Sequence, residues 1–179
     1  INTINLDFTS VTMPTNEWFH FALVRNTSGT NRFEVYINGT LQQTINNSTA
    51  WPDVAGALVI GDDLFNPDKE FTGYMDEFRV SNTARYTADF TPDTTEFSSD
   101  ANTKLLIHSN TTMGSTTFTD SSSGAHTITA NGDVRHIAPK IGNGMGVFDG
   151  SGDELSTPTS TDFLYGTGDF THEAWISPT

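Results

Sequence analysis

No stretch of this sequence longer than about ten residues has helical periodicity, and this feature limits the possible folds most strongly. Short runs of aromatic and β-branched residues alternate instead with polar turns rich in Gly, Asn, Asp, Ser and Thr. Runs of this kind form β-strands whose side chains point in turn to the two faces of a sheet. We therefore predict an all-β fold built from many short strands.

The clearest local prediction is a three-stranded antiparallel meander over residues 17–45. A dense apolar run covers Glu17–Arg25, and a second, alternating run covers Phe33–Ile37. The Asn38-Gly39 pair that follows tolerates the positive φ angles that a tight hairpin turn requires. Leu41–Ile45 is then the returning strand.

The charge balance excludes several classes of partner. The chain has 8 Lys and Arg residues against 22 Asp and Glu residues, for a formal net charge of −14. Such a surface repels phosphate backbones and anionic lipid, so we expect neither nucleic-acid binding nor membrane docking. No apolar run approaches the roughly 20 residues that a membrane span needs, so we expect no membrane insertion. Clustered carboxylates do favour divalent cations.

The chain contains no cysteine. Small secreted eukaryotic domains more often carry disulfides. The absence of cysteine fits a protein that folds in a reducing cytoplasm and works outside it, such as a virion component, or a bacterial surface protein. Because Ile1 is not an initiator Met and a strong strand pattern ends just before Thr179, we expect both termini to be cuts in a longer chain.

Five segments of the second half form another set of strand-like runs after residues 93–103, which are polar and read as a linker. These segments are Lys104–His108, Phe118–Ser122, His126–Gly132, Phe148–Asp153 and Gly168–Trp175. They resemble the opening of a laminin-G-like domain of the concanavalin A-like lectin/glucanase family.

The first half resembles the closing part of the same kind of domain. The matching segments are Glu17–Arg25, Phe33–Gly39, Leu58–Gly61 and Phe71–Val80. This resemblance implies an antiparallel jelly-roll β-sandwich. We expect residues 1–98 to be the C-terminal part of one module and residues 99–179 the N-terminal part of the next. The alternative is that residues 1–179 form one permuted sandwich.

Calcium is the most specific chemical prediction. Asp149 and Asp153 place two carboxylates four residues apart across a Gly-rich turn, as a hard cation that prefers oxygen ligands requires. The family resemblance implies that Asp149 and Asp76 lie near a bound Ca²⁺, and the spacing suggests Asp153 as a third ligand. The alternative is that Asp149 and Asp153 only cap a turn through hydrogen bonds. A second acidic group is expected to be solvated loop charge; it consists of Asp62, Asp63 and Asp68.

Sugar recognition needs an aromatic side chain beside polar groups, because a sugar ring stacks through its C–H face. Trp51, in a polar loop, and Tyr86 are the candidate ligand-binding residues, and core packing is the alternative for each. All five histidines are expected to be hydrogen-bonded strand residues, since none has metal-ligand spacing.

Catalysis is not expected. The Glu-x-Asp-x-x-Glu strand motif of laminarinase-type enzymes is absent. The adjacent carboxylates of Asp76 and Glu77 should point to opposite faces of a strand, whereas retaining glycosidases need two on one face.

The order of the segments resembles the tandem modules of bacteriophage tail and fibre proteins. This resemblance implies a non-catalytic module on a virion appendage or a cell surface. It would contact host-surface carbohydrate or glycoconjugates with calcium support, beside neighbouring modules of its own chain or a second copy. The alternative is a structural or decorating spacer without a glycan ligand.

Overall fold

The fold consists of two packed antiparallel sheets. The computed structural model describes residues 6, 8, 10–28, 30, 32–51, 57–62 and 70–179. Across these residues there are eleven strands and one short 3-10 helix, Thr161–Phe163. The strands are Phe19–Asn26 (β1), Arg32–Ile37 (β2), Thr40–Asn46 (β3), Val59–Ile60 (β4), Thr72–Ser81 (β5), Thr103–Ile107 (β6), Thr129–Asn131 (β7), Arg135–Ile137 (β8), Met145–Asp149 (β9), Glu154–Ser156 (β10) and Phe170–Pro178 (β11).

The large sheet has eight strands in the order β3-β2-β1-β11-β5-β9-β8, and β6 also pairs with β5. The small sheet has three strands in the order β4-β10-β7. The described residues contain no helix that is long and apolar enough to cross a membrane. The prediction of an all-β, concanavalin A-like jelly-roll sandwich is confirmed.

The meander predicted over residues 17–45 is present as β1, β2 and β3. Its second turn contains Asn38 at φ 50° and Gly39 at φ 76°. Two consecutive positive φ angles define the type I′ turn that matches the twist of a hairpin. Gly39 is required here for a second reason, because a Cβ atom would collide with the carbonyl oxygen of Phe90.

The main core lies between the two sheets and draws on both halves of the chain. Its buried side chains are Phe33, Ile60, Val80, Leu105, Ile107, Phe118, Val134, Phe148, Leu155, Tyr165 and Phe170. Burial of apolar area is the dominant favourable term in folding, so the loss of these contacts by either half would greatly reduce the stability of the fold.

The two halves also share the large sheet. β11 lies between β1 and β5, with Phe21 opposite Ala174 and Val80 opposite His172. Strands of both halves thus pair within one sheet, which is compatible with the alternative in which residues 1–179 form one permuted sandwich. The module boundary at residues 98 and 99 stays a prediction about a longer protein.

The segment at residues 82–102 is packed against the outer face, by which we mean the face of the large sheet away from the small sheet. The prediction of a polar linker at residues 93–103 is wrong. Phe97 is only 3% exposed and packs with Leu106, Ile141 and Trp175. The Trp175 indole also donates a hydrogen bond to the carbonyl of Asp93, at 3.1 Å. The buried Phe97 ring and hydrogen bonds such as that from Trp175 thus fix a stretch whose composition is otherwise typical of a linker.

Candidate functional site

Three carboxylates meet at one end of the sandwich, and we call them the acidic loop cluster. Asp149 ends β9, Asp153 precedes β10, and Asp133 lies in the turn between β7 and β8. One oxygen from each lies within 4.8 Å of the others. Asp133 and Asp149 are exposed, whereas Asp153 is only 1% exposed. The structure therefore brings together the two predicted residues Asp149 and Asp153 and adds Asp133.

Asp153 joins the two loops of this cluster. Its Oδ1 accepts a hydrogen bond from the backbone N–H of Asp133 at 2.7 Å, and its Oδ2 accepts one from Asp149 at 2.9 Å. Gly132 has a φ of 72°, and a Cβ atom there would collide with Oδ1 of Asp153. The close approach of the two loops thus depends on a buried carboxylate and an adjacent glycine.

The charge and donor chemistry of the cluster fit a hard divalent cation. All three side chains offer oxygen, which is the ligand that Ca²⁺ prefers. Arg135 is the nearby cation, with its Nη1 3.1 Å from Oδ1 of Asp133, and it balances one of the three negative charges. Both residues of that ion pair are substantially exposed, so it is easily rearranged. The two hydrogen bonds on Asp153 leave each of its oxygens with a second lone pair.

The predicted ligand Asp76 does not join this cluster. Thr72 is the residue of β5 that pairs with Asp149, so Asp76 lies four residues further along the strand, about 13 Å away at 3.3 Å per residue. Asp76 is 1% exposed, and its carboxylate accepts hydrogen bonds from the backbone N–H groups of Ile141 and Glu77 at 2.8 and 2.9 Å. The predicted trio of Asp76, Asp149 and Asp153 does not come together in the fold, and the three carboxylates that do meet are those of Asp133, Asp149 and Asp153.

The environment of Asp76 is strongly perturbed. Burial raises the pKa of Asp76 to about 7, and the hydrogen bond from Ile141 offsets this only in part. The negative charge of the neighbouring Glu77 acts in the same direction as burial. Asp76 therefore resists ionisation in the fold, and its two backbone hydrogen bonds already occupy both of its oxygens.

Asp76 and Glu77 also depart from the strand alternation expected from the sequence. The register with β11 shifts between Glu173 and Trp175, and Glu77 has a φ of 53°. This is a β-bulge, which adds a residue and re-aims side chains. Glu77 accepts a hydrogen bond from the N–H of Phe97 at 2.6 Å, and Asp76 accepts one from Ile141. Both carboxylates therefore bind backbone groups of the same apolar cluster on the outer face.

The two predicted aromatic ligand residues are used within the protein. Trp51 packs against Phe33 and Phe170, with ring centroids 6.0 and 5.1 Å away, and its backbone N–H donates a hydrogen bond to the carbonyl of Gly166. Tyr86 stacks on Phe90 at 3.5 Å. Both are only partly buried, and their role in ligand binding stays a prediction.

Comparison with known protein families assigns the chain to a family. A model of the concanavalin A-like lectin/glucanases superfamily, of the laminin-G type, matches residues 2–91. The chain belongs to this family. No curated protein and no solved structure matches the chain. Domains of the laminin-G-like family are in general binding modules and are typically non-catalytic.

A second buried charge network of this laminin-G-like domain was not predicted. The Glu173 carboxylate accepts hydrogen bonds from the Tyr86 hydroxyl at 2.6 Å, from His20 Nε2 at 3.1 Å and from Arg79 Nε at 2.9 Å. Burial alone would raise the pKa of Glu173, but the hydrogen bonds from His20 and Tyr86 and the charge of Arg79 hold it below its usual range. The network fixes the outer-face segment to β11 and is structural, because the Glu173 side chain is fully buried.

Sequence signals for the missed residues of the laminin-G-like domain were weak but present. Asn131-Gly132 is a typical turn sequence, and Asp133 follows it directly. A side chain in such a turn is exposed and can face a neighbouring loop. Nothing in the sequence indicated that this loop would meet residues 149–153. Of the other predicted acidic group, Asp62 is half-buried, whereas Asp63 and Asp68 lie outside the described residues.

Proposed function

We propose that this laminin-G-like domain is a non-catalytic, extracellular binding module that contacts host-surface glycans with the help of Ca²⁺. The observation that carries the proposal is the acidic loop cluster of Asp133, Asp149 and Asp153, whose carboxylate oxygens lie within 4.8 Å of one another. Two of the three side chains are exposed at a loop rim, where a cation remains accessible to a ligand.

Asp133, Asp149 and Asp153 would hold the cation. Bound Ca²⁺ supplies coordination positions that sugar hydroxyl oxygens can fill. Asp153 orients the cluster, since its two backbone hydrogen bonds fix the loops that carry the other two carboxylates. This pre-organisation lowers the entropic cost of bringing like charges together.

The location on a phage tail fibre or a similar surface appendage is part of the same proposal. It is supported by the segment order described above, the absence of cysteine and the net charge of −14. A single module with one cation site binds weakly. Neighbouring modules of the same chain, or copies of it, would supply avidity without new contacts.

Calcium-dependent thermal stability tests the proposal. Dissociation constants of extracellular calcium modules are about 10⁻⁴–10⁻³ M. At 10 mM Ca²⁺, roughly ten to a hundred times such a constant, the linkage relation gives about 1.4–2.7 kcal/mol of stabilisation. For a domain of this size we expect the Tm to rise by about 3–10 °C relative to the protein in chelator.

The matched variants are Asp133→Asn and Asp149→Asn, with Asp93→Asn as a control at an exposed site outside the cluster. We expect the first two to lose the calcium shift and the control to keep it. Glycan-array binding that calcium supports and chelator removes would then establish the ligand class. Equal Tm values in calcium and in chelator would refute calcium support, and a blank array would refute glycan binding.

A structural or decorating spacer is the second candidate. It is favoured by the packing of the two predicted aromatic residues, since Trp51 contacts core rings and Tyr86 stacks on Phe90. A spacer would give a blank glycan array together with concentration-dependent self-association in sedimentation experiments. Calcium stabilisation alone does not separate the two candidates, so the array decides between them.

A further inference from the structure

A buried carboxylate–imidazole pair lies away from the acidic loop cluster. Both oxygens of Glu77 contact His108 Nδ1, at 2.8 and 2.9 Å. The Glu77 side chain is fully buried, whereas that of His108 is 17% exposed. Because Nδ1 is engaged by Glu77, the Nε2 atom of the ring is left for a partner outside the pair.

His108 opens into a polar cleft of about 250 Å³. The lining residues are His108, Ser109, Asn110, Thr111, Thr119 and Ser121. A cleft of this volume has room for several water molecules or for one small ligand unit. The side chains of the lining offer hydroxyl, amide and imidazole groups but no carboxylate.

Several of these groups lack partners within the protein. Among the described residues, the hydroxyl groups of Ser109, Thr119 and Ser121 make no hydrogen bond. Ser109 is only 7% exposed and has a φ of 54°. A residue on a strained backbone beside a cleft is an arrangement that is often found where a ligand is bound.

The loop that carries Thr119 and Ser121 is rigidly held. Asp120 is 7% exposed, and its Oδ1 accepts hydrogen bonds from the N–H groups of Leu106 and Ser122 at 3.0 and 2.8 Å. The N–H of Ser121 donates to the carbonyl of Leu106 at 2.7 Å. The hydroxyls at the cleft are therefore pre-organised, which reduces the ordering cost of binding.

The charges around the cleft favour a neutral ligand. The hydrogen bond to Glu77 raises the pKa of His108, and the Glu77 carboxylate lies in direct contact with the ring, at 2.8 Å. Glu96, whose Oε1 accepts from the Asn110 amide at 2.5 Å, adds negative charge nearby. The whole chain carries −14. An anionic ligand would meet net repulsion, whereas the hydroxyl groups of a neutral sugar can both donate and accept.

We propose that this cleft is a second subsite, which binds one neutral saccharide unit through hydrogen bonds to His108, Ser109, Thr119 and Ser121, with the His108 imidazole as the ring beside the polar groups. The proposal rests on the glycan-binding function proposed above. It adds a binding location outside the acidic loop cluster and a preference for neutral sugars. Neutral hexoses bind here, and sugars that carry a carboxylate bind less well.

Chemical-shift titration of the ¹⁵N-labelled full chain tests the subsite. The probes are glucose, galactose, mannose and N-acetylglucosamine, with glucuronate and a sialic acid as acidic comparators, each in calcium and in chelator. We expect a neutral sugar to shift the amide signals of residues 108–111 and 119–121 equally with and without calcium. The acidic sugars should bind at least several-fold more weakly.

Two variants remove cleft groups, and one is a matched control. The double variant Thr119→Ala/Ser121→Ala deletes two exposed hydroxyls, and we expect at least tenfold weaker binding. His108→Gln retains an amide that can donate to Glu77, and it should weaken binding with a melting curve that still reports a folded protein. Ser123→Ala, at an exposed serine outside the cleft, should bind as the parent does.

The outcomes separate this subsite from the proposed function. Array binding that survives the double variant but is lost in chelator would refute the subsite and leave the proposed function standing. If a neutral sugar changes the chemical shifts of the cleft amides but the protein binds nothing on the glycan array, the subsite is supported and recognition of surface glycans is refuted. If no neutral sugar shifts the cleft amides, or if the acidic sugars bind as tightly, the subsite is wrong.

Discussion

Replacing Glu173 by Gln tests the buried network on the outer face. The carboxylate is fully buried and accepts hydrogen bonds from Tyr86, His20 and Arg79. It also lies within 2.8 Å of Nη2 of Arg79. Gln keeps the shape and one acceptor oxygen, but it removes the negative charge that balances Arg79 and directs an NH₂ group at hydrogen-bond donors.

The expected cost follows from the burial of both partners, since the Arg79 side chain is only 7% exposed. Removing one partner of a buried ion pair costs about 3–5 kcal/mol, because the remaining charge has no water to solvate it. The retained oxygen of Gln places Glu173→Gln near the lower end, at about 3 kcal/mol. For a domain of this size, that corresponds to a Tm decrease of roughly 6–12 °C.

Urea unfolding at pH 7, followed by tryptophan fluorescence, measures this cost. Glu17→Gln is the control, because Glu17 is exposed two residues before β1 begins; surface changes of this kind alter stability by about 0.5 kcal/mol or less. If Glu173→Gln costs no more than Glu17→Gln, the network does not hold the outer-face segment and the reasoning is wrong.

Three further predictions concern single residues. Asp153→Ala, measured in chelator, should cost about 2–3 kcal/mol by urea unfolding because two backbone N–H groups lose a charged acceptor, whereas Asp149→Ala should cost less than about 1 kcal/mol. Because the folded pKa of Asp76 is raised to about 7, its contribution to stability is fully present below about pH 4 and is lost as the pH rises toward 7, by up to about 4 kcal/mol. Asp76→Asn should flatten that part of the stability–pH curve, and an unchanged slope would contradict the shift. Gly39→Ala should cost more than Gly114→Ala in thermal unfolding: both have positive φ, but only Gly39 would collide with the outer-face segment, and equal costs would argue against that contact.

The sandwich was predictable because its strands are locally encoded. The Asn38-Gly39 turn and the alternation in residues 17–45 fix a hairpin without help from distant contacts. The pairing of the two halves was harder to predict from the sequence. Which strand lies beside β1 depends on contacts between residues more than a hundred positions apart, and the sequence was compatible with both arrangements.

The differences between the predicted carboxylate trio and the group that meets in the fold have physical causes. Asp76 resembled a family calcium position, but in this chain it is buried and its carboxylate accepts two backbone hydrogen bonds. The bulge at Glu77 overturned the expected alternation, since a positive φ at a Glu is not encoded by residue type. Asp133 was missed because its partners, Asp149 and Asp153, approach it only through tertiary packing.

Composition was misleading in one place. Residues 93–103 are polar, yet Phe97 is nearly fully buried. One aromatic side chain can anchor such a segment, since its burial contributes about 1.5–3 kcal/mol. A polar stretch with a single large apolar residue is therefore weak evidence for a free linker.

Disulfide formation between the two halves tests the central claim most directly, namely that both halves belong to one sandwich. Tyr74 in β5 pairs directly with Val147 in β9, and the chain contains no cysteine of its own. Directly opposite residues have Cα atoms about 4.5–5.5 Å apart, within the range that a disulfide bridges. Upon mild oxidation at low protein concentration, Tyr74→Cys/Val147→Cys should form an intramolecular disulfide in a monomer, detected by mass spectrometry. Free thiols, or disulfide-linked dimers only, would contradict the shared sheet.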